Sequence, residues 1–347
     1  MKNRKREDEG MGYLLQYENV AWFDEEKKEV RILDRRIFPQ KKEFVLCSSY
    51  QEVAKAIKDM VTQSGGQFAA GAMGMVLASS QFKHLSKHEF LKEMENAKNE
   101  IINARPTTKE AMELIVNSQF ALFNKLIKEG SSSYNIVKAL KQNAIELNNE
   151  RYNINAKAGE YFAKIVKNGQ SVLTHCFGET CFAAFLRSFN EDKKVINIYC
   201  QETRPFLQGA KLTASLANDL GFSTTLITDG MVAFLMSQKK IDYFVTASDV
   251  ITQDMHVINK VGTFNTAIVA NYFSIPYYAI GIISQKHKTL DNIKIEMRNG
   301  EEITNFNGVP ITANGVKGIY PSFDITPPNL IKGIATPEGI FEVESNR

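Results

Sequence analysis

Five short apolar runs dominate the second half of the chain: SVLTHC (171–176), KVINIYC (194–200), STTLITD (223–229), DYFVTASD (242–249) and PYYAIGI (276–282). Runs this short and this uniformly apolar suit strands covered on both faces, and such strands need helices on each side of their sheet. LQGAKLTASLANDLG, GMVAFLMSQKK and NKVGTFNTAIVANYF carry helical spacing and lie between most of the runs. This alternation predicts an α/β domain over 149–347, a doubly wound parallel sheet with right-handed crossovers.

The first half reads differently. Residues 1–10, MKNRKREDEG, are mostly charged and aperiodic, as in a flexible arm. YLLQYENVAWF and KEVRILDRR are β-rich and flank DEEKKE, which predicts a hairpin. From Ser49 the pattern turns helical through EVAKAIKDMV, FAAGAMGMVLASS and KHEFLKEMENAKNEIINA. Thr107 stands three residues before Glu110, a capping-box spacing, ahead of Met112, Ile115, Val116, Phe123, Leu126 and Ile127 at helical intervals that end at Gly130. These features predict a smaller N-terminal β-plus-helical domain over 11–148.

Charge and composition exclude several classes. The net charge of +3, from 42 basic and 39 acidic residues, is too small for the multi-phosphate footprint of a nucleic-acid binder, so no nucleic-acid partner is expected. No run approaches the roughly 18 apolar residues of a membrane span, and the charged start lacks the apolar core of a secretion signal. A cytoplasmic protein without a membrane partner is expected. Cys47, Cys176, Cys181 and Cys200 are too few and too scattered for a disulfide framework, so free thiols are expected.

In a doubly wound sheet, ligands bind beyond the carboxyl ends of the strands, where loops and helix N-termini converge. Reactive residues collect at those ends here. Cys176 closes the first run, Glu202 and Arg204 follow the second, Asp229 closes the third and Asp249 the fourth, while Gln208, Asn259 and Lys260 fall at or near the starts of helical segments. His175, Cys176 and Cys181 lack the second cysteine pair of a finger, and His84 and His88 form a lone HxxxH among lysines, so no metal is expected. Asp229 precedes Gly230 and a helix, which suits a helix cap as well as a ligand contact. SGGQFAAGAMG holds neither GxGxxG nor a Walker-type GxxxxGKS, so NAD and ATP are not expected and no cofactor is assigned.

The runs ETRPFLQGAKLTA (202–214), TLITDGMVAFLM (225–236), ASDVITQDMHVINKVGT (247–263) and YPSFDITPPNLI (320–331), with VLTHC (172–176) and ARPTT (104–108), resemble the methylthioribose-1-phosphate isomerase family, relatives of the regulatory subunits of translation initiation factor eIF2B. The resemblance implies a homodimer with a smaller N-terminal domain and a Rossmann-like C-terminal domain. It implies a metal-independent isomerisation of an aldose 1-phosphate, a small sugar phosphate, to the ketose. By motif match it implies catalytic roles for Cys176 and Asp249, and substrate contacts from Arg105, Gln208, Asn259 and Lys260. One motif departs. Where the family carries RGAPAIG, ungapped alignment puts Gln63 at the arginine, followed by Ser64 and Gly65; FGETC after Cys176 also replaces a usually NAG-like turn and brings in Glu179. Three readings follow: phosphate held by a nest of Ser64 and glycine amides, a different sugar, or lost catalysis.

The chemistry accounts for such groups. A sugar with phosphate on its anomeric oxygen cannot open its ring by losing the hydroxyl proton, so an acid must protonate the ring oxygen as the bond to C1 breaks. Asp249 at a strand end, kept from water, would hold a proton for that step. Hydrogen then moves from C2 to C1, either as a proton through an enediol with Cys176 as base, or as a hydride with Cys176 supporting the transferring centre. Arg105 and Lys260 would neutralise the phosphate. The expected substrates are 5-methylthioribose 1-phosphate and 5-deoxyribose 1-phosphate, which an apolar pocket separates by only about 1–3 kcal/mol. The alternative is a non-catalytic, eIF2B-like subunit that binds a sugar phosphate or nucleotide.

Overall fold

The computed structural model describes residues 6–105, 109–291 and 293–343. The chain divides into two compact units: one runs to Asn153 without Gly10–Gly12, the other from Ile154 with those three residues.

In the first unit, the chain is tied down from Arg6, within the arm expected over 1–10. Arg6 pairs with Asp8 and Glu18, and buried Asp8 accepts the Tyr17 amide at 2.9 Å. Tyr13–Leu15 forms a 3-10 turn and Tyr17–Val20 the short helix α1, so only part of the expected first strand is extended. That part is β1, Ala21–Asp24, paired antiparallel with β2, Glu29–Leu33; at the turn between them the Asp24 carboxylate takes the amides of Glu26 and Lys27. β3, Phe44–Cys47, adds a third strand that the sequence pattern did not mark.

Five helices follow among the described residues. α2, Tyr50–Lys58, starts on Ser49, whose side chain accepts the Glu52 amide. α3, Gly66–Phe82, is buried along nearly its whole length, with α4, Lys87–Asn103, and α5, Lys109–Lys128, contributing to the same core. Gly71 and Gly74 allow that packing: a Cβ on either would meet Met112, Ile101 or Val53 at about contact distance or closer. The proposed Thr107–Glu110 cap lies outside the described residues. α6, Ser133–Ile165, runs 33 residues through the boundary expected between 148 and 149, because it contains no proline and only one glycine, Gly159.

The second unit has the expected α/β architecture. The five apolar runs supply β4, Ser171–Thr174, β5, Asn197–Gln201, β6, Ser223–Ile227, β7, Tyr243–Ala247, and, after β8, Val250–Ile251, and β9, Val257–Lys260, the strand β10, Tyr277–Ile280. Helices alternate with them: α7, Glu179–Glu191, α8, Ala214–Asp219, α9, Val232–Ser237, and α10, Thr263–Tyr272. A peripheral excursion then holds β11, Met297–Arg298, α11, Glu301–Thr304, β12, Asn305–Phe306, β13, Val309–Pro310, and β14, Tyr320–Pro321; β15, Phe323–Thr326, β16, Gly333–Thr336, and β17, Gly339–Glu342, complete the chain.

The main sheet has the order β17-β16-β10-β7-β4-β5-β6, with β17 antiparallel to β16 and all other neighbours parallel. Counted from β4, the six parallel strands follow the 3-2-1-4-5-6 order of dinucleotide-type folds, whose direction reverses between β4 and β7. Phe162, Phe182, Phe185 and Phe189, each fully buried or nearly so, pack within this unit; burying such a side chain contributes about 1.5–3 kcal/mol. One helical reading is corrected. NKV is not the start of a helix: Val257–Lys260 is β9, pairing antiparallel with β8 and β15, and α10 starts only after Gly262 turns the chain at φ +103°. β-branched Val257 and Ile258 favour the strand, and Asn259 and Lys260 therefore end it. Among the described residues, no helix is long and apolar enough to cross a membrane.

Candidate functional site

Strand-order reversal opens a crevice outside the carboxyl ends of β4 and β7. Two expected residues flank it, each two positions past its strand: Cys176 after Thr174, and Asp249 after Ala247.

Cys176 has φ +63°, a left-handed conformation that costs a non-glycine residue about 1–3 kcal/mol. Side-chain hydroxyls hold it there. Its amide donates to Thr203 Oγ1 at 2.9 Å, and its carbonyl accepts from Thr213 Oγ1. Thr203 is fixed in turn, because its amide and that of Arg204 donate to the two oxygens of Asp229 at 2.9 and 2.8 Å. Asp229 thus fastens the loop after β5 and makes no side-chain cap to the turn it begins. Behind the thiol, buried His175 donates from Nε2 to the Val261 carbonyl at 2.8 Å, and burial lowers its pKa. Nδ1 is then the accepting nitrogen, 3.4 Å from the Thr203 hydroxyl.

Burial pushes the Cys176 thiol up to about 11; Lys260 opposes the rise, while Asp249 and Asp229 add to it. These influences bring Cys176, Lys260, Asp249 and Asp229 into one electrostatic neighbourhood, with the cysteine a thiol at neutral pH. Lys260 is buried with its ammonium 4.7 Å from the centre of the Phe323 ring. Buried Asn259 donates to Thr263 Oγ1 at 3.0 Å. Gln208 is buried immediately ahead of the π-helical turn Gly209–Thr213, and its Oε1 has no hydrogen-bond partner among the described residues. The buried Tyr320 hydroxyl is also without a hydrogen-bond partner, pushed to about 12 by burial and within electrostatic reach of Cys176. Leaving such atoms unsatisfied costs about 1–3 kcal/mol each, which a polar ligand would recover.

Asp249 departs from expectation. It is exposed, not held away from water, although its amide is fixed to the Ile258 carbonyl at 3.0 Å. Burial does push up another carboxyl, Asp324, to about 6, and it accepts the amides of Gly262 and Phe264 at 2.7 and 3.1 Å at the start of α10. Arg204 turns to the carbonyls of Ile303 and Asn305 and to the Phe306 ring. Glu179 is buried at the start of α7, and burial followed by the Asp229 charge raises Glu202. Thr203, Thr213, Tyr320 and Asp324 were not singled out from the sequence, although each lies within a motif run.

In the first unit, Gln63, Ser64 and Gly65 form the turn into α3. Exposed Ser64 is left-handed at φ +54° and Gly65 right-handed at φ −72°, the succession of a backbone nest. Arg105 lies just beyond α4, partly buried. His84 lies beyond α3 and His88 within α4, both exposed, so they share no helix. Among the described residues there is no cluster of three His, Cys, Asp or Glu suited to a metal, and the four cysteines form no disulfide.

Residues 64–343 match the model of the initiation factor 2 subunit family. The chain belongs to this family. Relatives within it include the methylthioribose-1-phosphate isomerase of Desulforamulus reducens, 33% identical over 336 residues that cover 92% of this chain and 94% of that protein. The isomerase of the same name from Caldanaerobacter subterraneus is 36% identical over 321 residues, 89% of this chain and 92% of that one. Among solved structures, 5-methylthioribose 1-phosphate isomerase of Pyrococcus horikoshii superposes with a TM-score of 0.83 at 28% identity, covering 96% of each chain. The eIF-2B subunit delta of A. fulgidus gives 0.82 at 28%, covering 93% of this chain and 96% of that one. The proteins this chain is similar to thus include ones named as isomerases and one named as a translation factor, on one fold.

Proposed function

We propose that this member of the initiation factor 2 subunit family is an aldose–ketose isomerase for a ribose 1-phosphate modified at C5, with 5-methylthioribose 1-phosphate first and 5-deoxyribose 1-phosphate close behind. One observation carries the reading: a thiol locked in a strained loop and a carboxylate on the facing strand end share a crevice with a buried lysine, in a chain about one-third identical to named isomerases over nine-tenths of its length.

In this reading Asp249 protonates the ring oxygen as the bond to C1 breaks, and takes a proton back from the C2 hydroxyl as that carbon becomes the ketone carbonyl. A bound sugar phosphate would raise its proton affinity by displacing water and adding negative charge nearby. Lys260 offsets phosphate charge, Asn259 and Gln208 bind hydroxyls, and Arg105 with the Ser64–Gly65 turn are the phosphate candidates of the first unit. Cys176 enters as a thiol. For the proton route it must lose its proton to become a base, with Lys260 favouring the thiolate; for the hydride route it serves as it stands, filling a dry wall beside C1 and C2. Substrate deuterated at C2 separates them: label lost to water establishes the proton route, and full retention at C1 supports the hydride route.

We also propose a homodimer in the cytoplasm, since β6 is an edge strand with Leu226 exposed, next to exposed Met231 and Phe234; light scattering gives the mass. A second reading, a non-catalytic eIF2B-like subunit, is favoured by Gln63 standing at the family's arginine. Incubation with each sugar, followed by NMR of the ketose carbonyl, tests between them. Ketose from either sugar supports the isomerase, and a flat trace from both supports the binding subunit.

A further inference from the structure

We propose that Tyr320 is a further substrate-binding residue, its hydroxyl donating to the hydroxyl on C3 of the sugar at the thiol side of the crevice. The inference rests on the isomerase reading above and adds a contact to it. Tyr320 is 1% exposed, and its hydroxyl has no hydrogen-bond partner among the described residues. A short route ties it to the thiol loop. The Ser322 carbonyl, two residues on, accepts the Val261 amide at 3.2 Å, and the Val261 carbonyl accepts Nε2 of His175, the neighbour of Cys176, at 2.8 Å. The next residue, Phe323, opens β15 directly opposite Lys260. Tyr320 accordingly lies within electrostatic reach of Cys176, and burial pushes its phenol up to about 12, so it is a donor at neutral pH.

The strand pairing adds a second observation. β11 and β14 run antiparallel with Arg298 opposite Tyr320, and the Ser322 amide extends the pairing to the Glu296 carbonyl at 2.8 Å. Side chains two apart on a strand, and those directly opposite across an antiparallel pair, point to one face. Glu296, Arg298, Tyr320 and Ser322 therefore share a face. Three buried oxygens there, Glu296 Oε2, the Tyr320 hydroxyl and Ser322 Oγ, have no hydrogen-bond partner among the described residues. Arg298 pairs with Glu302 at 3.3 Å and holds its guanidinium 5.7 Å from the centre of the Tyr320 ring. A carboxylate oxygen only accepts and the phenol is here to donate, so the ligand that suits both is a hydroxyl, which gives one hydrogen bond and takes others. A ribose 1-phosphate modified at C5 has two free hydroxyls. The one on C2 becomes the carbonyl of the ketose, which leaves the one on C3 for a group that does not react.

The test compares wild type and Tyr320→Phe on the better bound of the two sugar phosphates and on its 3-deoxy analogue. Affinity is read from thermal upshift, KM and kcat from ketose formation, and melting is recorded without ligand. Tyr320→Phe keeps the ring and loses the hydroxyl alone. It should bind the parent sugar about 5- to 50-fold more weakly and raise KM by a similar factor with a smaller change in kcat. Without ligand it should melt at or above wild type, because a buried hydroxyl lacking a partner has been removed. Wild type should lose a similar factor on the 3-deoxy sugar, which decides the matter even where the variant fails to fold, and the two proteins should bind that analogue alike. The proposal is overturned by a wild type that binds neither sugar or is indifferent to the C3 hydroxyl, by a folded Tyr320→Phe that binds the parent as tightly as wild type, by one that melts well below wild type with unchanged affinity, or by an analogue that still separates the two proteins by the same factor. Sugar-phosphate binding that depends on the Tyr320 hydroxyl in a protein without turnover would remove the isomerase reading alone. Turnover with affinity indifferent to that hydroxyl would remove this proposal alone.

Discussion

The two lips of the β4/β7 crevice are built to opposite specifications. On the β4 side, Cys176 sits in a left-handed conformation with its amide and carbonyl both taken by threonine hydroxyls, of which that of Thr203 rests on a loop fastened by Asp229. On the β7 side, the Asp249 amide is tied to the Ile258 carbonyl at 3.0 Å and its side chain is exposed. The difference teaches how the labour is divided. In the proposed isomerase, the thiol's position is fixed in advance by the fold, whereas the carboxyl proposed as the acid is open to solvent. A group that must sit within a few tenths of an ångström of a transferring hydrogen benefits from the first arrangement, and one that must change protonation state during a cycle benefits from the second.

Substitutions on each lip can break that contrast. After the loss of the thiol itself, Asp249→Asn should give the largest effect, a fall of about 10²- to 10⁴-fold in kcat/KM with melting nearly unchanged, because an exposed side chain contributes little to stability. A destabilised Asn variant would show that the carboxylate is a structural part of its lip. Thr203→Val removes the acceptor for the Cys176 amide, and should cost about 1–3 kcal/mol in urea unfolding together with a loss of kcat. Unchanged kcat in that variant would mean that the clamp does not position the thiol.

Two titrations sharpen the contrast further. With the thiol raised to about 11, alkylation of Cys176 by iodoacetamide should be slow at pH 7 and rise about tenfold per pH unit up to that value; a plateau below pH 8 would show a thiolate already formed. The smallest effect belongs to Asp324. Its folded pKa, about 6, lies above the ordinary 3.8, so the native state holds the proton more tightly than the unfolded chain between those values. Stability from this group is therefore full below about pH 4, falls as pH rises to about 6, and is flat above. The drop should be about 1–2 kcal/mol after allowance for partial exposure, and Asp324→Asn should remove it in unfolding curves measured from pH 4 to 7.

Much of the fold was legible because four of the five apolar runs, those of β4, β5, β7 and β10, are largely buried, and that demand writes itself into each run separately; β6, at the sheet edge, is mostly exposed. β9 was not, because two β-branched residues followed by Asn259 and Lys260 carry no alternation, and pairing with β8 and β15 is what makes them extended. α6 hid its continuity in a stretch of polar residues that looks like a boundary and simply lacks breakers. At the site, Cys176 and Asp249 were visible as reactive types at strand ends. Thr203 and Thr213 were not, since a hydroxyl's service to a neighbour's backbone depends on a φ angle that no spacing encodes.

The most direct measurement compares kcat/KM of wild type and Cys176→Ala on the better of the two sugar phosphates, with the melting of both proteins recorded. The account predicts ketose from wild type, none detectable from the alanine variant, and closely similar melting curves. Comparable turnover by a folded Cys176→Ala protein would contradict it.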